Sequence, residues 1–142
     1  MKQTDIFYPF LAMMVLTLCV WAYMYVLRIG YMIGNRIRPA DLATSEAVGK
    51  VLPERINYPS HNLKNLFELP VLFYALCLFL FVTDQVNVVY LYSACIFVAF
   101  RALHSLVHCT VNIVVLRFFA YIVSAVILWF MVIKAVISLL RG

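Results

Sequence analysis

The sequence predicts an all-α integral membrane protein, a bundle of four transmembrane helices. Of its 142 residues, 66% are hydrophobic and only 12% are charged, against about 25% charged in soluble domains. Four apolar stretches each approach or exceed the roughly 20 residues that a bilayer requires. A length of 142 residues suits one small helical domain.

The first helix is predicted over about residues 6–37. Its apolar run, "IFYPFLAMMVLTLCVWAYMYVL", is too long for a signal-peptide core and lacks a small-residue cleavage site, so we expect it to be retained. The helix continues through "RIGYMIGNRIR" and ends before Pro39, because the residue before a proline avoids the helical conformation.

The other three helices are predicted over about residues 62–82, 86–110 and 114–140. "TDQ" at 83–85 makes a tight turn in which Asp84 is the expected N-cap of the third helix, and Asn112 is the expected break before the fourth. The polar segment at about 39–61 contains three prolines and is predicted to be a long loop that can hold a short helix near "ATSEAVGK".

The distribution of lysine and arginine predicts the topology. Seven basic residues lie toward the side that carries the long loop: Arg28, Arg36, Arg38, Lys50, Arg55, Lys64 and Arg117. Three, Lys2, Lys134 and Arg141, lie toward the other side. The positive-inside rule therefore predicts a cytoplasmic loop and external termini. Because these basic residues flank or enter apolar runs, they do not predict a nucleic-acid-binding surface.

The segment "RALHSLVHCTVN" (101–112) places polar residues inside the third helix. Arg101, His104, Ser105, His108 and Asn112 fall within about 100° of one helix face. An arginine at this depth costs at least about 2.5 kcal/mol unless it is compensated. We predict a structural ion pair between Arg101 and Glu68 of the second helix.

The other helices also carry polar faces toward the loop side. These faces are His61, Asn62, Asn65 and Glu68 on the second helix, Arg117, Tyr121 and Ser124 on the fourth, and Arg28, Tyr31, Asn35 and Arg38 on the first. They predict one cation-rich site in the inner leaflet, and such a site suits an anionic ligand with carboxylates.

Alternative interpretations of these residues remain open. The polar side chains can hold helices together, and Arg36, Arg38 and Lys64 can extend to lipid headgroups. His104 and His108, four residues apart, can share a metal ion, but the neighbouring arginines repel cations, so we predict no metal site.

At these residues the sequence resembles the membrane-associated proteins in eicosanoid and glutathione metabolism (MAPEG), in particular short bacterial members. The resemblance covers nearly the whole chain and rests on "KNLFELPVLFYAL" (64–76), "FRALHSLVHCTVNIVVLRFFAY" (100–121) and "NRIR" (35–38). It implies a homotrimer in the bacterial inner membrane that holds glutathione, as co-substrate, between subunits near the cytoplasmic face.

The resemblance also implies roles for individual residues. Glutathione would be bound by Arg36, Arg38, Lys64, Asn65, Glu68, His104 and Tyr121, with Arg117 and His108 in the catalytic roles and Arg117 facing the thiol. Two positions depart from the family pattern. His108 replaces a tyrosine that contacts glutathione in well-studied synthases, and Phe118 replaces a serine of the prostaglandin synthase branch.

The sequence therefore predicts a membrane glutathione transferase or peroxidase that acts on lipophilic electrophiles or lipid hydroperoxides entering from the bilayer. The main alternative is a non-enzymatic lipid-binding or scaffolding protein on the same fold, and a small transporter or channel is a further one.

Overall fold

A computed structural model of the chain describes residues 1–141, and these are almost entirely helical. Four helical spans are long and apolar enough to cross a membrane: Gln3–Asn35, Glu54–Val82, Val88–Cys109 and Val114–Arg141. Large apolar side chains are exposed along all four spans, as expected for helices that face lipid. The predicted class, an all-α membrane bundle, is confirmed.

The first span consists of a short 3-10 helix, Gln3–Ile6, followed by α1, Phe7–Asn35. α1 ends at Arg36, which adopts a left-handed conformation with φ of 55°. The amides of Arg36 and Ile37 then donate to the carbonyls of Ile33 and Met32, and this pattern terminates helices. α1 is therefore shorter at its C-terminal end than the predicted 6–37.

The segment after α1 contains a 3-10 turn, Pro39–Leu42, and the short helix α2, Ser45–Val51. The Thr44 hydroxyl caps α2 by accepting a hydrogen bond from the Ala47 amide at 3.1 Å. A short helix near "ATSEAVGK" was predicted, and α2 confirms it.

The second span differs from two predictions, the loop at 39–61 and the continuous helix at 62–82. The structure has α3 at Glu54–Leu66 and α4 at Leu69–Val82, with Phe67 and Glu68 between them. Pro70 explains the break, because it has no N–H for the Leu66 carbonyl and its ring would clash with that carbonyl. The polar composition of residues 54–61 concealed the start of α3.

α5, Val88–Cys109, and α6, Val114–Arg141, form the last two spans. The sequence predicts Asp84 as the N-cap of α5, and this prediction is wrong: Asp84 is a turn residue with φ of 54°. The cap is Asn87, whose side-chain oxygen accepts from the Val89 and Tyr90 amides at 3.1 and 3.3 Å. Asn112, with φ of 49°, lies in the turn between α5 and α6.

α5 packs against α6, α1 and α3 and is the centre of the bundle. On one side it contributes to an apolar core in which the Phe73 and Phe97 rings stack at 4.5 Å. Toward its C-terminal end its buried side chains are polar apart from Val107: Arg101, His104, Ser105 and His108. The polar stripe of the sequence thus faces the interior of the bundle.

Candidate functional site

A cavity of about 300 Å³ lies at the loop side of the bundle, where the break between α3 and α4 meets the α5–α6 turn. Its lining residues are Asn65, Glu68, His104, His108, Val114, Arg117, Phe118 and Tyr121. We call it the loop-side cavity. It gathers six of the nine residues nominated for binding or chemistry, and such a convergence of polar groups is typical of a ligand site.

Arg117 is held in position by the turn that precedes its own helix. It lies in the first turn of α6, and its Nη1 donates a hydrogen bond to the Asn112 side-chain oxygen at 2.7 Å. Asn112 can reach Arg117 because its left-handed conformation turns the chain sharply between α5 and α6. A guanidinium carries five N–H donors, so most of the Arg117 donors remain for a ligand.

His104 connects α5 to the first turn of α6. Its Nδ1 lies 2.9 Å from the Arg117 carbonyl oxygen, and since a carbonyl only accepts, Nδ1 carries the proton. Nε2 is then an acceptor in the neutral ring, and this buried nitrogen has no partner among the described residues. His104 therefore offers the cavity an unsatisfied acceptor.

His108 lies one turn further along α5, with its ring centroid 5.5 Å from that of His104 in an edge-to-face arrangement. Its buried Nδ1 also lacks a hydrogen-bond partner in residues 1–141. The same residues contain no group of three His, Cys, Asp or Glu side chains that could hold a metal ion. Two buried nitrogens without partners are costly, and a polar ligand would relieve that cost.

Arg101 is fully buried one turn of α5 from His104. Its contacts differ from the predicted ion pair with Glu68. Its Nη2 donates to the Asn65 backbone carbonyl at 2.7 Å, and its Cζ lies 5.4 Å from the centroid of the Tyr121 ring. Within residues 1–141 the salt bridges join Arg38 to Asp41 and Lys50 to Glu46, so Arg101 and Glu68 are not ion-paired.

The carbonyl that Arg101 contacts is available because α3 ends one residue later. Helices leave their last four carbonyls without internal partners, and the Asn65 carbonyl belongs to this set. The break at Pro70 thus supplies the acceptor that the buried guanidinium uses, where sequence reasoning expected a carboxylate.

Three nominated residues lie outside the loop-side cavity. Arg36 is exposed at the end of α1. Arg38 forms an exposed salt bridge with Asp41 at 3.1 Å, and the hydrogen bonds from Arg38 lower the pKa of Asp41 below its usual value. Lys64 lines a separate polar recess of about 300 Å³, together with Arg28, Asn57 and His61.

Sequence reasoning missed two polar contacts near the site. The sequence predicts Asn112 as the break before the fourth helix, but it does not predict that the Asn112 side chain binds Arg117. Asn62 is fully buried between α3 and α5, where it donates to the Cys109 sulfur at 3.5 Å and accepts from the Ser105 hydroxyl at 3.4 Å. In the sequence, Asn62 and Ser105 each lie on a polar helix face, and this pattern is the signal that could have indicated the contact.

The fold and the cavity together define the class: a four-span integral membrane protein with a cation-bearing polar cavity at one end of its bundle. The MAPEG family model matches residues 6–137, and the chain belongs to the MAPEG family. Membership places it among membrane proteins of glutathione or eicosanoid metabolism. Neither a curated protein nor a solved structure matches the chain.

Proposed function

We propose that the protein is a homotrimeric membrane glutathione transferase or peroxidase that binds glutathione at the loop-side cavity. The observation that carries this proposal is the juxtaposition of Arg117 with two buried histidines whose ring nitrogens are unsatisfied. The cavity offers a permanent cation for a thiolate and donor or acceptor groups for a peptide backbone, and glutathione presents both.

The thiolate stabilisation that Arg117 must provide is modest. A free thiol has a pKa of about 8.5, and the thiolate is the nucleophile. Lowering that pKa by about two units requires roughly 2.7 kcal/mol of preference for the anion. One guanidinium in a poorly hydrated site can supply this. Its bond to Asn112 leaves donors directed at the ligand and holds them in place before the ligand arrives.

The thiolate then has two classes of substrate. With a lipophilic electrophile it forms a thioether and displaces the leaving group or adds to the activated double bond. With a lipid hydroperoxide it attacks the terminal oxygen and releases the lipid alcohol, and a second glutathione converts the resulting sulfenic acid to the disulfide and water. Phe118, which is exposed beside Arg117 in the cavity wall, gives an apolar substrate a surface next to the sulfur.

In the proposed trimer, basic side chains of a neighbouring subunit would complete the glutathione site. Arg36, Arg38 and Lys64 lie outside the cavity of their own chain and are exposed. In a ring of three subunits these cations can face the neighbour's cavity and bind the glutathione carboxylates, as the family resemblance implies. Cytoplasmic glutathione would reach the site if the segment after α1 is cytoplasmic, as the basic residues predict.

Isothermal titration of the detergent-purified protein with glutathione tests the proposal. We expect saturable binding by the parent, and weaker binding by His104→Ala and His108→Ala, because each removes one of the two unsatisfied ring nitrogens. Arg141→Ala is the matched control, since Arg141 is exposed at the far end of α6. Absence of glutathione binding by the parent, or equal affinity in all variants, would favour the non-enzymatic lipid-binding alternative.

A further inference from the structure

A groove of about 590 Å³ runs between α1 and α5, on a different face of α5 from the loop-side cavity. Its lining residues are Leu16, Cys19, Val20, Tyr23, Ala102, Leu103, Ser105, Leu106, Cys109 and Thr110. Three of these residues carry hydroxyls. Ser105 donates to the Asn62 side chain and Thr110 to the Leu106 carbonyl, and Tyr23 lies at the end that a neighbouring cavity shares. The rest of the groove is lined by aliphatic side chains and two cysteines, so the groove is largely apolar.

A second cavity, of about 350 Å³, continues the groove toward the loop side. This second cavity shares Tyr23, Cys109 and Thr110 with the groove between α1 and α5. It adds Leu27, Arg55 and Ile56. We call the two together the α1–α5 groove. It is apolar at one end and carries a guanidinium at the other.

The length of the α1–α5 groove is close to the hydrocarbon thickness of one leaflet. Leu16 and Leu27 mark its two ends on α1, and eleven residues of helix rise about 16 Å. Half of a hydrocarbon core of about 30 Å is about 15 Å. The apolar end thus lies near the middle of the bilayer, and Arg55, at the start of α3, lies at the loop-side interface.

Among residues 1–141, Arg55 has no salt-bridge partner for its charge. It is exposed, and within residues 1–141 the salt bridges involve Arg38 and Lys50 instead. Guanidinium groups bind phosphate through paired N–H donors, and basic pockets between transmembrane helices are sites for anionic headgroups.

We propose that the α1–α5 groove binds one acyl chain of an anionic phospholipid from the loop-side leaflet, with Arg55 on its headgroup phosphate. An acyl chain gains little by exchanging lipid neighbours for leucine and valine side chains, which are equally apolar. The headgroup contact therefore selects the lipid. This site is separate from the glutathione proposal and does not depend on it.

Native mass spectrometry of the full chain, released from detergent with added lipid, tests the site. The probes are palmitoyl-oleoyl phosphatidylglycerol and palmitoyl-oleoyl phosphatidylcholine, which share their acyl chains and differ in net charge. We expect the parent to prefer phosphatidylglycerol and Arg55→Gln to reduce that preference about fivefold, or about 1 kcal/mol, the contribution of one basic residue near an anionic membrane surface. Lys50→Gln is the matched control, because it removes a charge on the same side of the membrane away from the groove.

A second pair of variants tests the chain-binding part of the groove. Leu106→Trp fills the groove and should reduce retention of both lipids, whereas Val126→Trp, at an exposed position on α6, should leave both unchanged. Equal retention of the two lipids by the parent, or an unchanged preference in Arg55→Gln, would overturn the proposal. If Leu106→Trp breaks the oligomer and leaves lipid retention unchanged, a second copy of the chain occupies the groove and the proposal is wrong.

Discussion

Replacing Arg101 with methionine should change the stability of the protein very little, although Arg101 is fully buried. The substitution removes a charge-assisted hydrogen bond to the Asn65 carbonyl, which contributes about 1.5–3 kcal/mol. It also removes a contact with the Tyr121 ring, which contributes about 1 kcal/mol. Against these losses, a charge within a membrane helix costs about 2.5–3.5 kcal/mol. The terms offset, so the free energy of unfolding should change by less than about 1 kcal/mol.

The assay is loss of helical circular dichroism when the detergent-solubilised protein is titrated with dodecyl sulfate. Leu128→Ala serves as the positive control, because Leu128 is fully buried and truncation of such a residue costs about 2–5 kcal/mol. Glu68→Gln should be nearly neutral, since Glu68 is exposed. If Arg101→Met and Glu68→Gln each cost 3–5 kcal/mol, the value expected for a broken buried ion pair, our account of Arg101 is refuted.

Three further predictions concern His104, Asn112 and the topology. His104→Asn places its amide N–H₂ near the Nδ1 position, keeps a donor for the Arg117 carbonyl and should unfold like the parent, whereas His104→Gln places its amide near the Nε2 position, loses that hydrogen bond and should lose about 0.5–1.5 kcal/mol in the same titration; equal losses would contradict the assigned tautomer. Asn112→Gly preserves the left-handed turn but removes the bond to Arg117, so conjugation of glutathione to a lipophilic aryl halide should slow while the fold is retained; normal turnover would show that Arg117 needs no positioning. Ser45→Cys should be protected from an impermeant thiol reagent in intact cells and Arg141→Cys should react, and the reverse pattern would contradict a cytoplasmic loop.

The sequence predicts the membrane class and the polar stripe of α5 because both depend on local pattern. Apolar runs of sufficient length require helices in a bilayer, and the spacing of Arg101, His104 and His108 places them on one face whatever their neighbours are. The convergence of His104 with Arg117 follows as well, since both residues lie near the α5–α6 turn and their helices must pack against each other.

What the sequence does not predict depends on backbone groups and on cap geometry. The partner of Arg101 is the Asn65 carbonyl, which has no partner within its own helix because α3 ends one residue later, before Pro70. Asp84 and Asn87 are both plausible caps by residue type, and only the path of the turn selects Asn87. Arg36 and Arg38 follow α1 at the end of the bundle that holds the loop-side cavity, but in their own chain they do not line that cavity.

The formation of glutathione thiolate on the protein tests the central claim most directly, namely that the Arg117 cavity binds glutathione and activates its thiol. The measurement is the ultraviolet difference absorbance of the thiolate when glutathione is added to the purified protein at neutral pH. We predict thiolate on about three quarters of the bound glutathione of the parent at pH 7, since a pKa lowered by about two units from about 8.5 is about 6.5. The signal should be lost in Arg117→Ala, be partly retained in Arg117→Lys, and be unchanged in the control Arg141→Ala. No thiolate on the parent, or an equal signal in Arg117→Ala, would contradict the account.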